Sequence, residues 1–314
     1  MRQLVKVWVL VTAMVMGGAL PPQVMGDSTV ALQWCAQAKS KKKNKKKKKH
    51  KRKADDPVKA ASTLVSVPAI GTPAVSVAPQ SASNALMAVS IPKGVSNQVI
   101  NYQSIRVNFN PALRIPNCVA YELTATMIDM ADAPGHENRK NYNYSRDHNV
   151  ASCPENWEYR GSGYSRGHMA PAMDMRWDKT AMAQCFYMTN MCPQDHDLNG
   201  GAWRLLEEKI HRWGKRDKRL IIATGPIMGK SAKTTGKSCA VAIPDAFYKV
   251  VYAPEQGRAI GFIYPNEPVS GSFKKRAVTI DEVERLTGLD FFPALPDNVE
   301  NALESHANPD QWSN

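Results

Sequence analysis

The sequence predicts an α+β domain, with a mixed or antiparallel sheet and flanking helices, on three observations. Short apolar runs rich in β-branched residues recur along the chain, two of them face each other across a turn, and only two segments carry helical periodicity. Residues 107–128, in which Val119, Tyr121, Leu123 and Ala125 alternate, read as a strand pair broken at Pro116. The short apolar runs 184–189 and 219–224 read as buried strands. Residues 247–252 and 259–264 flank the turn segment 254–257 and read as a hairpin. A helix is expected over 202–213, where Trp203, Leu206, Ile210 and Trp213 form an apolar stripe at spacings of three and four. A second is expected over 280–286, opened by Thr279 and Glu282 as a capping box and closed by Gly288.

This domain does not account for the whole chain. Arg2 and Lys6 precede an uncharged run from Val7 to Leu20, then Pro21, Pro22 and a small-residue site ending at Gly26. That layout reads as a secretory signal over 1–26, with a retained N-terminal anchor helix as the alternative; the run is too short to span a bilayer comfortably, so no integral span is expected after removal of the signal. The expected location is outside the cell, periplasmic or on the cell surface. In an oxidising compartment the six cysteines, Cys35, Cys118, Cys153, Cys185, Cys192 and Cys239, would form up to three disulfides, with buried free thiols as the alternative.

The net charge of +13 is unevenly spread. Nearly all of it lies before residue 60, chiefly in the run SKKKNKKKKKHKRK at 40–53. Like charges there repel and nothing can be buried, so 27–83 is expected to be a disordered Lys-rich tail followed by an Ala/Ser/Val/Pro linker, with the folded domain at 84–314. Residues 39–53 suit polyanions such as DNA, RNA, acidic polysaccharide or anionic lipid. The basicity belongs to the tail and not to a face of the domain.

Two segments carry chemistry. In Tyr164-Ser165-Arg166-Gly167-His168-Met169-Ala170-Pro171-Ala172 a permanent cation stands two residues from a titratable base. Arg166 can hold a phosphate by paired hydrogen bonds while neutral His168 takes a proton from water. The second segment runs Met188-Thr189-Asn190-Met191-Cys192-Pro193-Gln194, then Leu198-Asn199-Gly200-Gly201-Ala202-Trp203 and Leu206-Glu207. It supplies uncharged oxygen donors and one carboxylate beside an apolar helix, a set suited to magnesium, which prefers hard oxygen ligands and keeps several waters. Asp195-His196-Asp197 reads as a solvated loop, and Thr224-Gly225-Pro226 with Gly229-Lys230-Ser231 as a turn.

Taken together in this order, these segments, with Leu286-Thr287-Gly288-Leu289-Asp290-Phe291-Phe292-Pro293 and Leu295-Pro296-Asp297, resemble the DNA/RNA non-specific endonucleases, the family of mitochondrial endonuclease G and secreted bacterial nucleases. The resemblance covers residues 101–297. It implies the ββα-metal (His-Me finger) fold and hydrolysis of DNA and RNA with Mg2+, for which Mn2+ could substitute. It implies His168 as general base, Asn199 as the single protein ligand to the metal and Glu207 as the residue orienting its waters. Asn190 would help position those waters and the phosphate, and Arg166 would contact the phosphate. Arg139 stands about where the family has another arginine. On a regular helix the eight residues from Asn199 to Glu207 rise about 12 Å, which favours contact through water. Ser165 replaces the family's aspartate, and His211 stands where members often have a phosphate-binding arginine. The alternative to an enzyme is an inactive polyanion-binding surface protein that works through the tail. Oligomeric state is left open by the sequence.

Overall fold

A computed structural model of the chain describes residues 84–229, 233–236 and 240–313. The expected signal at 1–26, the Lys-rich tail and linker at 27–83, Cys35 and Cys239 lie outside the described residues.

The described residues form thirteen strands: β1 Val89–Ser90, β2 Gln98–Asn101, β3 Ile105–Asn110, β4 Ile115–Thr124, β5 Ser165–His168, β6 Met191–Gln194, β7 Arg219–Ile227, β8 Lys233–Thr234, β9 Ala242–Ile243, β10 Ala246–Ala253, β11 Arg258–Pro265, β12 Ala277–Val278 and β13 Asp290–Phe291. The main helices among the described residues are α1 Ala125–Asp132, α2 Lys179–Cys185, α3 Arg204–Asp217, α4 Ile280–Thr287 and α5 Asp297–Glu304. Seven strands form one sheet in the order β12-β11-β10-β7-β4-β3-β2, and every neighbouring pair in it is antiparallel.

The sheet is covered on both faces, which is why its strands read as almost unbroken apolar runs. Along β4, Val119, Tyr121 and Leu123 enter one core while Cys118 and Ala120 enter the other. Likewise Phe247 and Val251 of β10 face the first core, and Tyr248, Val250 and Tyr252 the second. The first core is closed by Ile128 of α1, by Leu206, Ile210 and Trp213 of α3 and by Met191 and Cys192 of β6. The second is closed by Ile280 and Val283 of α4, Leu303 of α5, and Val89 and Phe291 of the small β1–β13 ladder.

The hairpin expected around 254–257 is present, with Gly257 in the left-handed region at φ 57°. Strand β7 matches the run 219–224 and extends through Thr224-Gly225-Pro226, so those residues are sheet and not a turn. Helix α4 opens on the Thr279 hydroxyl, which accepts from the Glu282 amide, and ends on left-handed Gly288. The Glu282 carboxylate pairs with Arg285 and does not complete the box.

Other expectations are corrected. The break in 107–128 falls at 111–114, where the Asn110 side chain accepts the amides of Ala112 and Leu113 and Arg114 turns to φ 62°. Pro116 lies inside β4, tolerated where the register slips by one residue between Asn108 and Phe109. Ala125 starts α1, because the Thr124 side chain caps it by accepting from Met127. The run 184–189 is the end of α2 and a 3-10 turn at Met188–Asn190; it is short and mostly buried, so apolarity alone could not distinguish helix from strand. Helix α3 begins at Arg204, after a wide turn Asn199–Trp203 in which Gly201 leaves helical geometry at φ −109°, ψ −111°. The expected disulfides are absent from the described cysteines: Cys118, Cys153, Cys185 and Cys192 are buried free thiols. Cys118 lies in the core on one sheet face and the other three in the core on the opposite face. Among the described residues no helix is long and apolar enough to cross a membrane.

Candidate active site

Strands β5 and β6 form a separate antiparallel ribbon in which Ser165 pairs with Gln194, Arg166 with Pro193, Gly167 with Cys192 and His168 with Met191. The glycine is required by contact: a Cβ at Gly167 would lie 2.4 Å from Gln194 Oε1 and 2.6 Å from Gln194 Cβ. After β6 the Asp195 side chain accepts the amides of Asp197 and Leu198, capping the turn that delivers Asn199. The sequence placed that aspartate in a solvated loop; it is half-buried and structural. The chain then enters α3, whose first turn carries Glu207.

His168 is half-buried, its ring edge-on to Phe186 at 4.9 Å and tilted against Tyr144 at 5.6 Å. Burial, aided by the positive charge of Arg139, pushes its pKa down to about 3. The imidazole is therefore neutral at physiological pH. Nε2 is buried with no hydrogen-bond partner. Both predicted arginines come to this ring through Tyr144: the Arg166 guanidinium lies 5.5 Å and that of Arg139 6.0 Å from the Tyr144 centroid. Arg139 Nη2 also donates to the Tyr144 hydroxyl at 2.9 Å, and Arg166 Nη2 to the Asn156 carbonyl at 2.7 Å. Stacking holds each fork in a fixed orientation.

Asn199 is half-buried, and among the described residues its side-chain amide makes no hydrogen bond. Glu207 Oε1 is buried and also lacks a hydrogen-bond partner. Burial pushes Glu207 up to about 7; Lys249 opposes this and Asp174 adds to it. Two underused hard oxygen donors on one turn-and-helix segment fit a divalent cation with a hydrated shell. The kink at Gly201 means that their separation is not the regular-helix rise.

Two residues assigned to the site from the sequence do other work. Asn190 is fully buried. Its Oδ1 accepts from Ala170 N at 2.9 Å, and its Nδ2 donates to the carbonyls of Ala170 at 3.0 Å and Cys185 at 2.8 Å. Fully buried and engaged at both ends of its amide, it fixes the backbone just past His168. His211 is also buried: its Nδ1 lies 2.8 Å from Asp174 Oδ1 and its Nε2 3.5 Å from Asp132 Oδ1. Burial alone would lower its pKa, yet the hydrogen bond and charge of Asp174, with Asp132, hold it above the ordinary value. It faces carboxylates of the fold and not a phosphate.

The sequence reading missed Lys249. This fully buried side chain donates to Thr224 Oγ1 at 2.9 Å and to the Met169 carbonyl at 3.4 Å. Its Nζ stands 3.8 Å from Glu207 Oε1 and 4.8 Å from the centre of the Trp203 ring. The signal was a lysine inside the apolar strand run Phe247-Tyr248-Lys249-Val250-Val251, on the same face as Phe247 and Val251. Asp174 was also missed. It is buried and accepts from the Tyr121 hydroxyl at 2.8 Å.

A histidine on one strand, its antiparallel partner and a following helix that bears a carboxylate form a ββα unit, and this unit seated on a larger sheet defines the ββα-metal nuclease fold. A chain in the crystal structure of the EndoG/EndoGI complex superposes with a TM-score of 0.58 at 26% identity, covering 64% of this chain and 87% of that one. The sequence profile of the DNA/RNA non-specific endonucleases matches residues 82–298, and the chain belongs to that family. Relatives include mitochondrial nuclease EXOG of Xenopus laevis, 32% identical over 218 residues, which are 64% of this chain and 59% of the relative. The mitochondrial Nuclease 1 of Schizosaccharomyces pombe is 30% identical over 66% of this chain and 69% of its own. A Nostoc nuclease is 31% identical over 63% and 74%. The chain spans only 56–60% of the vertebrate EXOG relatives.

Proposed function

We propose that the protein is a magnesium-dependent endonuclease that hydrolyses phosphodiester bonds in both DNA and RNA, with His168 as general base. The observation that carries this reading is a histidine kept neutral by burial and Arg139, with two aromatic-stacked arginines beside it. Nε2 is sealed in the interior, so the nitrogen that takes a proton from the attacking water is Nδ1. Arg139 and Arg166 bind the phosphate and offset the charge that grows on it. A phosphate against Arg139 also cancels part of the field that depresses His168, making it a stronger base once substrate is bound. Asn199 would hold the metal and Glu207 would orient its waters, and Mn2+ could replace Mg2+. When bound, such an ion supplies Lewis-acid stabilisation of the phosphate and of the leaving oxygen. Recognition through arginines and a cation addresses the backbone and not base edges, which supports activity on both nucleic acids.

The reading includes export through residues 1–26 and a basic segment at 39–53 that concentrates the enzyme on polyanions. The test is cleavage of plasmid DNA and total RNA, with magnesium or with EDTA, by the wild type and His168→Ala. Metal-dependent degradation of both substrates that disappears in the variant supports the enzyme. Inactivity of a folded wild type would leave a polyanion-binding protein.

A further inference from the structure

The sheet face opposite the ββα unit carries a second cluster of oxygen donors. Asp281 and Glu284 lie one turn apart on α4, and Glu304 ends α5. One carboxylate oxygen from each falls within 4.8 Å of the other two. Glu304 is only 5% exposed, and its Oε1 is buried with no hydrogen-bond partner. Glu300, one turn earlier on α5, likewise has a buried, unpartnered Oε1. No ion pair reaches Asp281, Glu284, Glu300 or Glu304 among the described residues. The only basic group on α4, Arg285, is held by Glu282. The charges bearing on Glu284 and Glu304 are other carboxylates: Asp281, Asp290, Glu300 and each other. Burial and this crowding push Glu284 up to about 7 and Glu304 up to about 8.

An isolated buried carboxylate is normally paired or coordinates a metal, and among the described residues no cation pairs with these. We propose that Asp281, Glu284 and Glu304 form a second divalent-cation site, for calcium, that clamps α4 to α5. Two oxygens bound to one calcium at about 2.3–2.6 Å are at most about 5 Å apart, which accommodates the observed span; magnesium, at about 2.0–2.1 Å, requires a tighter and more regular set. Glu284 also accepts the Phe291 amide through Oε1 at 2.8 Å. Through Phe291, which pairs with Val89, the ion would fix the β1–β13 ladder at the start of the described domain. The site is separate from Asn199 and Glu207, and it stands whether or not the nuclease reading does.

The experiment is thermal unfolding of the metal-stripped full-length chain carrying Asn199→Ala, with and without calcium, beside the same chain carrying Glu304→Gln as well. At saturating calcium, a hundredfold above Kd, the midpoint of Asn199→Ala rises by about 5–10 °C. In the double variant that rise is lost, while its midpoint without calcium is equal to or above that of the single variant, because one repelling charge is gone. A one-to-one calcium titration by calorimetry follows the same pattern. No calcium shift in Asn199→Ala, or an equal shift in the double variant, overturns the site.

Discussion

The buried ammonium of Lys249 lies 3.8 Å from Glu207 Oε1 and within hydrogen-bonding distance of the carbonyl of Met169, the residue after His168. One cation from the central sheet thus touches both halves of the ββα unit, the strand carrying the base and the helix carrying the carboxylate. Lys249→Met should leave Glu207 and Asp174 buried with less compensation, at a cost of about 3–5 kcal/mol. It should also raise the magnesium concentration needed for half-maximal cleavage by about 10–100-fold. Denaturant unfolding and metal titration of activity measure the two effects separately.

Asn190 and Asn199 should separate cleanly. Asn190→Ala removes three hydrogen bonds to backbone groups, so it should cost stability, about 1–3 kcal/mol for each buried group left unsatisfied. Its residual activity should show an ordinary metal requirement. Asn199→Ala, at a half-buried amide with no partner, should unfold like the wild type and lose metal-dependent cleavage. Melting curves set beside magnesium titrations decide the assignment.

Gly167→Ala should destabilise the ribbon by about 1–3 kcal/mol through overpacking against Gln194. Because Gln194 Cβ is itself 2.6 Å from the added carbon, Gln194→Ala should not restore the fold and Gln194→Gly should. Urea unfolding of the two double variants checks the contact.

The two histidines His168 and His211 should have pKa values displaced in opposite directions. His168, held down to about 3, should show no NMR titration between pH 8 and 5, and Arg139→Ala should raise its pKa by removing a positive charge. Between about 3 and the ordinary 6.5, unfolded chains bind the proton that native His168 refuses, so its contribution to stability falls as pH drops through that window. His211 is raised above 6.5. Its contribution is complete below 6.5 and is lost as pH rises through the folded value. Wild-type unfolding free energy against pH, compared with His168→Ala and His211→Phe, measures both.

Much of this was legible because the signals are local. A short apolar run marked β7, two segments flanking a turn marked β10 and β11, period 3.6 marked the stripe on α3, and Thr279 and Gly288 marked both ends of α4. The Arg-Gly-His triplet and the Asn199 to Glu207 segment marked the candidate site. The errors arose where an apolar run was short and mostly buried, as at 184–189, or where a side-chain cap overrode alternation, as Thr124 does for α1. That the scaffold engages Asn190 and His211 was not legible, because a motif position says which side chain is present and not which partners its hydrogen bonds find.

The sequence by itself determined the fold class and the family, and it singled out His168, Arg166, Asn199 and Glu207 as candidates for the site, since each depends on residue types at short, ordered spacings. Only the tertiary structure decided what those groups can do. It brought Arg139 to His168 across Tyr144, drove the imidazole to its neutral form, spent Asn190 and His211 on the scaffold and placed Lys249 under Glu207. Protonation state and hydrogen-bonding capacity depend on burial and on charges a few ångströms away, and those neighbours come from distant parts of the chain.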